Sequence, residues 1–394
     1  MGDAALTAEV DGVAVGEVAT PCSTDEVAAT LRGAAGGGRS VVVQGGGTKR
    51  TWAMPPRSAD LLLDLSGMDR VVEHAAGDLI VTAQAGTPLA AVQEHVAAAG
   101  QRLLVDETIP GSTVGGVLAT NASGPARLLA GTMRDLLIGV TMVRADGVVA
   151  RAGGKVVKNV AGYDVGKLLV GSYGTLAVVT EATFRLHPVP PVRRWLTVPF
   201  GSATEAQRLV QDVLAAQVVP AALEVAVDGD ARSVTLLLEG RGAGVDGRAQ
   251  AAAGLLPGAT STEERPDGWG RYPWDPSATG DDRAVALKLT FRLSALADVL
   301  EAAADLAVRG SAGAGVLYAS MSGDEPAAVA PVLTRLREVC GRHGGAVVVL
   351  DAPAAVKRTV DVWGPVPALD LMRRVKDEFD PDRRLAPGRF VGGI

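Results

Sequence analysis

Apolar positions recur along the chain in two periods, and each period predicts its own kind of element. Val27 and Leu31 stand one helical turn apart behind Ser23-Thr24-Asp25-Glu26, so a capping box followed by a first helix is expected, with Gly33 placed to end it. Val41-Val42-Val43 is β-branched throughout and predicts a strand that runs straight into Gln44-Gly45-Gly46-Gly47-Thr48. Segments 61–65 and 80–83 predict two further strands, with a turn between them. Leu89, Val92 and Val96 line one face of a second helix, for which Thr87 is the expected cap, Pro88 the first turn and Gly100 the stop. From residue 110 to 188 the chain is rich in glycine and β-branched residues, with short strands at 140–143, 148–150 and 176–186, and it predicts a mostly antiparallel sheet.

Pro188, Pro190, Pro191 and Pro199 mark a domain boundary. Beyond them, helical stretches at 205–216, 294–308 and 327–342 alternate with strands at 223–227, 234–238, 284–292, 315–319 and 346–350. That order predicts helices on one face of an antiparallel sheet. Segment 240–282, rich in Gly, Pro, Asp and Trp, is expected to be an excursion or lid. Leu369, Met372, Val375 and Phe379 form one stripe of a last helix, which is expected to pack back on the first domain. The organisation expected is therefore α+β, with domains at 1–191 and 192–363 and a returning segment at 364–394.

The chain has 394 residues, 47% of them hydrophobic and 21% charged, enough for two cores. No apolar run approaches the roughly 18 residues that span a bilayer, so membrane insertion is not expected. The amino-terminal residues lack the basic and apolar regions of a secretory signal, and a cytoplasmic location is expected. A net charge of −6 without basic clusters argues against nucleic acid. Cys22 and Cys340 are expected to be free thiols, and two cysteines cannot hold an iron–sulfur cluster, so any such cluster must sit on a partner. No metal site is expected.

Consecutive glycines after a strand can turn several amides into one anion-binding concavity, with Lys49 adding positive charge from its rim; a mere tight turn explains the same residues equally well. Walker A needs a Gly-Lys-Ser/Thr ending that Gly47-Thr48-Lys49 does not provide, and no G-x-G-x-x-G stands in a βαβ frame. A second loop is more specific: Pro110-Gly111-Ser112-Thr113-Val114-Gly115-Gly116, then Thr120-Asn121-Ala122-Ser123-Gly124. It suits a long phosphate–sugar–ring ligand, the alternative being a buried glycine-rich crossover.

These loops, with the stretch from Asp64 to Gln101 and above all KVVKNVAGYDVGKLLVGSYGTLAVVTEATFRLHP, resemble the vanillyl-alcohol-oxidase or PCMH-type FAD-binding family, and within it the flavoprotein subunits of the glycolate oxidase type. The resemblance covers about 21–191. It implies a two-subdomain FAD-binding fold followed by an α+β cap. It also implies that Gln44, Gly45, Gly46, Gly47, Thr48 and Lys49 meet the FAD pyrophosphate, and that Pro110, Gly111, Ser112, Thr113, Gly115 and Gly116 line the ribityl and flavin side. Thr120, Asn121, Gly124 and Asp135 are implied as second-loop contacts, and Gly174, Thr175 and Val179 as backbone contacts to the rings. Asn159, Gly162, Tyr163 and Asp164 match an N-x-x-G-Y-D element near the flavin, although Tyr163 fits a core aromatic as well. Members often tether FAD through His or Cys after the first loop; here Thr48, Lys49, Arg50 and Thr51 follow, so the FAD is expected to be non-covalent. Phe379-Asp380-Pro381 matches the family's ending, while Ala386-Pro387-Gly388 lacks its Asn.

Oxidation of a small 2-hydroxy acid such as glycolate or D-lactate needs a cation for the carboxylate and a base for the hydroxyl. The four histidines, His74, His95, His187 and His343, are scattered, and the histidine-rich motif of catalytic relatives is missing. Lys288 and Arg292 are expected on one strand face, which is either a solvated outer face carrying charge or a cationic face for the carboxylate, with Arg127 and Arg134 as alternative ligands and Tyr163 as a further catalytic candidate. Two roles stay open. The chain is either a 2-hydroxy-acid dehydrogenase within a multi-subunit complex, or a passive flavin-holding or electron-transfer subunit beside a catalytic sister flavoprotein and an iron–sulfur protein.

Overall fold

A computed structural model describes residues 8–155 and 163–394. Its first domain is built on two sheets. One has four strands in the order Glu9–Val10, Val13–Ala19, Ala59–Asp64, Val41–Gln44, with Ala59–Asp64 parallel to both Val13–Ala19 and Val41–Gln44. The other has five, Val71–Ala75, Ile80–Gln84, Val178–Arg185, Leu137–Val143 and Val149–Gly153, all antiparallel. Helix Thr24–Gly36 joins them, because Val27, Leu31 and Ala34 bury against Leu61 and Leu63 of the first sheet and Val143 and Val178 of the second.

The second domain carries an eight-stranded antiparallel sheet. Alternation along its strands decides what each face meets. Leu287, Leu289, Leu317 and Ala319 face Leu209, Val213, Leu333 and Leu336 of helices Ala203–Ala215 and Pro326–Arg342. The intervening Ala286, Tyr318 and Leu350 join the core of the first domain, beside Leu118, Met133 and Phe184. One sheet face therefore serves as a wall between the domains.

Four local expectations are corrected. The first helix continues past Gly33 to Gly36: an interior glycine costs about 1 kcal/mol against Ala, and burial of Ala34 outweighs it. Thr87 does not cap helix Leu89–Ala97; its hydroxyl donates to the Arg70 carbonyl, and Pro88 takes the N-cap position. Segment 294–308 is not one helix, since Leu296–Ala302 ends at Ala303 and Ala307–Ser311 pairs inside the sheet. Segment 240–282 is not an excursion throughout: helix Gly242–Leu255 buries Val245 and Ala252 in the core of the second domain and strand Thr260–Thr262 joins its sheet, before a strap crosses the sheet wall.

The last helix, Leu369–Phe379, is tied to the first domain by Lys376, which is fully buried and donates to Asp380 Oδ2 (2.7 Å), the Thr175 carbonyl (2.7 Å) and the Leu385 carbonyl (3.1 Å). Leu385 then pairs alongside Val41. Arg389, also buried, donates to the carbonyls of Lys49, Arg50 and Trp52. The returning segment thus fastens the loop that leaves the glycines. Among the described residues no helix is long and apolar enough to cross a membrane, and no group of three His, Cys, Asp or Glu is placed to hold a metal.

Candidate cofactor and substrate site

Strand Val41–Gln44 delivers the chain to the glycine loop, and Gln44 Nε2 donates to Asp64 Oδ2 at 2.9 Å, fixing the exit. The two loops touch. A Cβ on Gly45 would lie 2.2 Å from Thr113 Oγ1, and one on Gly46 would lie 2.2 Å from the Gly111 carbonyl oxygen. Gly47 and Gly111 are both left-handed, with φ of +70° and +79°. Among the described residues the amides of Gly46, Gly47 and Thr48 donate to no carbonyl or side chain. Unspent amides at a left-handed turn have the character of an anion-binding nest.

Lys49 departs from expectation. Its ammonium is buried rather than on a rim, donating to Ser112 Oγ (2.7 Å) and Thr48 Oγ1 (3.0 Å), and burial pushes it down to about 8 against the opposing pull of Glu107. Among the described residues it has no carboxylate within 4 Å. Ser112 also donates to the Ile109 carbonyl (2.7 Å), so its hydroxyl is committed to joining the loops.

The remaining second-loop residues divide by what they touch. Thr113 caps helix Val114–Thr120 by accepting from the Gly116 amide (3.3 Å), and Gly115 packs on Ala85, where a Cβ would be 2.9 Å from that residue's own. Thr120 bonds back to the Gly116 carbonyl (2.8 Å) and, with Gly116, lines a small recess beside Gly45, Tyr173 and Arg389. Asn121 ends that helix in the left-handed region, and its buried Oδ1 has no partner among the described residues. Gly124 lets the chain pass Asp106. Asp135 is an exposed capping residue for helix Met133–Leu136, accepting from the Thr132 amide at 2.8 Å, and it lines neither the recess nor the cleft described next. Gly174 is left-handed with open space around it; the Thr175 carbonyl is taken by Lys376; Val179 sits at a bulge, packed between two cores.

A cleft of about 1450 Å³ opens from the glycine loop. One wall is Gln44 to Thr48 with Pro110; the other is the strap, including Tyr272 and Trp274, with Arg309 of the sheet. Pockets for small ligands run to about 300–1,000 Å³, so a dinucleotide and a second small molecule have room.

Behind Tyr272 lies a polar cluster on the sheet wall. Lys288 stands in register with Tyr318, and burial, aided by the nearby Arg127 guanidinium, pushes its ammonium down to about 8. Arg127 donates to Ser123 Oγ, Tyr318 donates to the Ser123 carbonyl (3.1 Å), and Tyr272 accepts from Thr108 (3.1 Å). Glu224 joins them: its Oε1 is buried without a partner among the described residues, and burial pushes its carboxyl up to about 8. Arg292 does not share this place, because the strand ends at Thr290 and Arg292 is exposed beside Gly344. Arg134 is exposed as well. Tyr163 is 95% exposed and lines neither the cleft nor the cluster, which removes it from the core and from this site. Asn159 and Gly162 lie outside the described residues. Glu224, Tyr272, Trp274 and Arg389 escape sequence reasoning; Tyr272-Pro273-Trp274, aromatic within a polar stretch, was the available sign.

A nest of free amides at the head of a cleft walled by a second domain is suited to a diphosphate-bearing cofactor. Residues 16–153 match the FAD binding domain, and residues 309–390 match the C-terminal domain of FAD linked oxidases. The chain thus carries an FAD binding domain and the C-terminal domain of FAD linked oxidases, and FAD is its cofactor. Glycolate oxidase subunit GlcD of Bacillus subtilis is 34% identical over 52% of this chain and 44% of its own. D-lactate dehydrogenase of Archaeoglobus fulgidus is 35% identical over 52% of this chain and 46% of its own. Glycolate oxidase subunit GlcE of Escherichia coli is 36% identical over 38% of this chain and 43% of its own. The match thus spans just under half the length of these relatives. Alkyldihydroxyacetonephosphate synthase shares the fold at a TM-score of 0.70 and 16% identity, over 95% of this chain and 77% of that one. Chitooligosaccharide oxidase does so at 0.66 and 17%, over 94% and 91%.

Proposed function

We propose that this chain is a subunit of a glycolate-oxidase-type complex that oxidises a small 2-hydroxy acid, such as glycolate or D-lactate, to the 2-oxo acid. The observation that carries this is a pair of cations beside the cofactor cleft, Lys288 of the sheet wall, whose ammonium is desolvated, and the half-buried Arg127 of helix Arg127–Ala130, with no carboxylate within 4 Å of either among the described residues. Two cations held together in a low-dielectric place repel each other, and a carboxylate between them relieves that cost. Bound FAD supplies a two-electron acceptor for hydride from the alcohol carbon. Glu224, with its raised pKa, holds or releases a proton near pH 8, and the phenols of Tyr272 and Tyr318 orient polar atoms at the same place. FAD is held without a covalent link: Thr48, Lys49 and Arg50 follow the glycines, and neither the cleft nor the recess is lined by His or Cys. A sister flavoprotein and an iron–sulfur subunit complete the complex, in the cytoplasm.

A passive flavin-holding role is the second reading, and one observation favours it. The cavity beside Arg127, Glu224 and Tyr318 measures about 10 Å³, room for one water at most, and Tyr272 closes it from the cleft. Anaerobic mixing of the purified chain with glycolate or D-lactate separates the two. Bleaching of the flavin band without partners supports catalysis; an unchanged band that bleaches only after the sister subunit is added supports the passive role. Acid precipitation of the same sample is expected to leave a yellow supernatant, and a yellow pellet would rule out non-covalent binding.

A further inference from the structure

The Tyr272 and Trp274 rings are parallel, 4.4 Å apart between centroids with 4° between planes, although only one residue separates them. Such a stack within a strap has to be held, and it is. Tyr272 is buried, meets Tyr318 edge-on at 4.7 Å, touches Trp52 at 5.9 Å and accepts from Thr108. Between the rings, the Pro273 carbonyl accepts from Ser320 Oγ at 2.7 Å, pinning the strap to the sheet wall. Upstream, Arg309 holds the Gly268 carbonyl at 3.2 Å. Trp274 is different: it is half-buried, lines the large cleft, and no other ring lies nearer to it than Tyr272. One aromatic face is thus fixed from behind and presented to the cleft that begins at the amides of Gly46 to Thr48.

From this arrangement we infer that Trp274 is the platform on which the isoalloxazine ring of FAD stacks, with Tyr272 as its backing. The inference rests on the FAD reading and adds the residue that positions the ring. A diphosphate at the nest leaves two flat groups to place, isoalloxazine and adenine. The sheet-wall side suits the isoalloxazine, because Tyr272, on which Trp274 stacks, also lines the recess that holds Arg127 and Glu224. A rigid aromatic face costs little to order on binding, and each stacked ring is worth enough to change affinity severalfold.

The test uses the full chain stripped of flavin and titrated with FAD, riboflavin and ADP, following tryptophan emission and the fluorescence of bound flavin. FAD and riboflavin are expected to quench tryptophan emission while ADP does not. Trp274→Ala is expected to weaken FAD binding roughly ten-fold or more and to brighten the flavin that remains bound; Trp274→Phe, which keeps a ring, is expected to restore most of both. Quenching by ADP equal to that by FAD places adenine on the platform and overturns the inference. So does an unchanged affinity and flavin brightness in Trp274→Ala. A native chain that takes up no FAD at all overturns the FAD reading together with the platform, which distinguishes the two failures.

Discussion

Lys49 Nζ lies 2.7 Å from Ser112 Oγ, so a buried ammonium from the first glycine loop is fastened to a hydroxyl of the second. The two loops that make the anion nest are thereby held as one piece. Glu107 is the acid that pulls on this ammonium, while Arg50 and Arg389 are the cations of the same loop and of the segment clasping it.

That arrangement fixes the sign of two pH effects. Lys49 titrates near 8 in the folded chain, below its ordinary value of 10.5, so between those values the unfolded chain holds the proton and the folded one does not. Stability of the flavin-free chain therefore gains from this group as pH rises from about 8 towards 10.5. FAD affinity moves the opposite way, because a diphosphate favours the charged ammonium and loses it above pH 8. Titrations with FAD at pH 7 and pH 9 check this: the native chain is expected to weaken at pH 9, and Lys49→Met is expected to weaken at both and lose the dependence.

Gly46→Ala puts a methyl group 2.2 Å from the Gly111 carbonyl oxygen, where backbone faces backbone and neither can turn aside. The loops must part. A cost of about 1–3 kcal/mol in stability and loss of flavin co-purifying with the chain are expected; urea melts and the absorption spectrum read them separately.

Glu224 offers a test of the buried cluster. Its carboxyl is raised from 4.5 to about 8, so the folded chain binds more protons than the unfolded one between those values, and stability contributed by this group falls as pH rises through that window. Glu224→Gln is expected to flatten the fall in melting temperature between pH 5 and pH 8. A variant that melts with the native slope would mean that the carboxyl is solvated.

Lys376→Met leaves Asp380 fully buried without its cation. Removal of one partner from such a pair costs about 3–5 kcal/mol, and chemical denaturation should record a loss of that size. Because Lys376 also caps the Thr175 and Leu385 carbonyls, limited proteolysis is expected to cut near residue 385 before the rest of the chain opens.

Elements with a clean period and a long apolar run were legible: the Val41–Gln44 strand and its glycines, the helix Thr24–Gly36 behind Ser23, and the alternation of the second domain. Alanine-rich 294–308 was not, because Ala and Leu without polar punctuation satisfy a helix and a buried strand alike, and the neighbouring strands decided for Ala307–Ser311. At the site, sequence named the glycines but could not tell contact from support: Gly115 and Gly124 make room for Ala85 and Asp106, and Asp135 caps a helix. Lys288 and Arg292 parted because the strand between them stops two residues early. Glu224 was invisible for another reason: its burial is imposed by Ser311, Arg127 and Tyr272, which approach from three distant stretches of chain.

Arg389 gives the site a schedule. Its guanidinium closes on the carbonyls of Lys49, Arg50 and Trp52, residues translated more than three hundred positions earlier. While a ribosome is still working through the second domain, the turn leaving the glycines has no clasp. Loading of the vitamin-derived cofactor is therefore expected to wait for this arginine, and nascent chains stalled before it should emerge colourless.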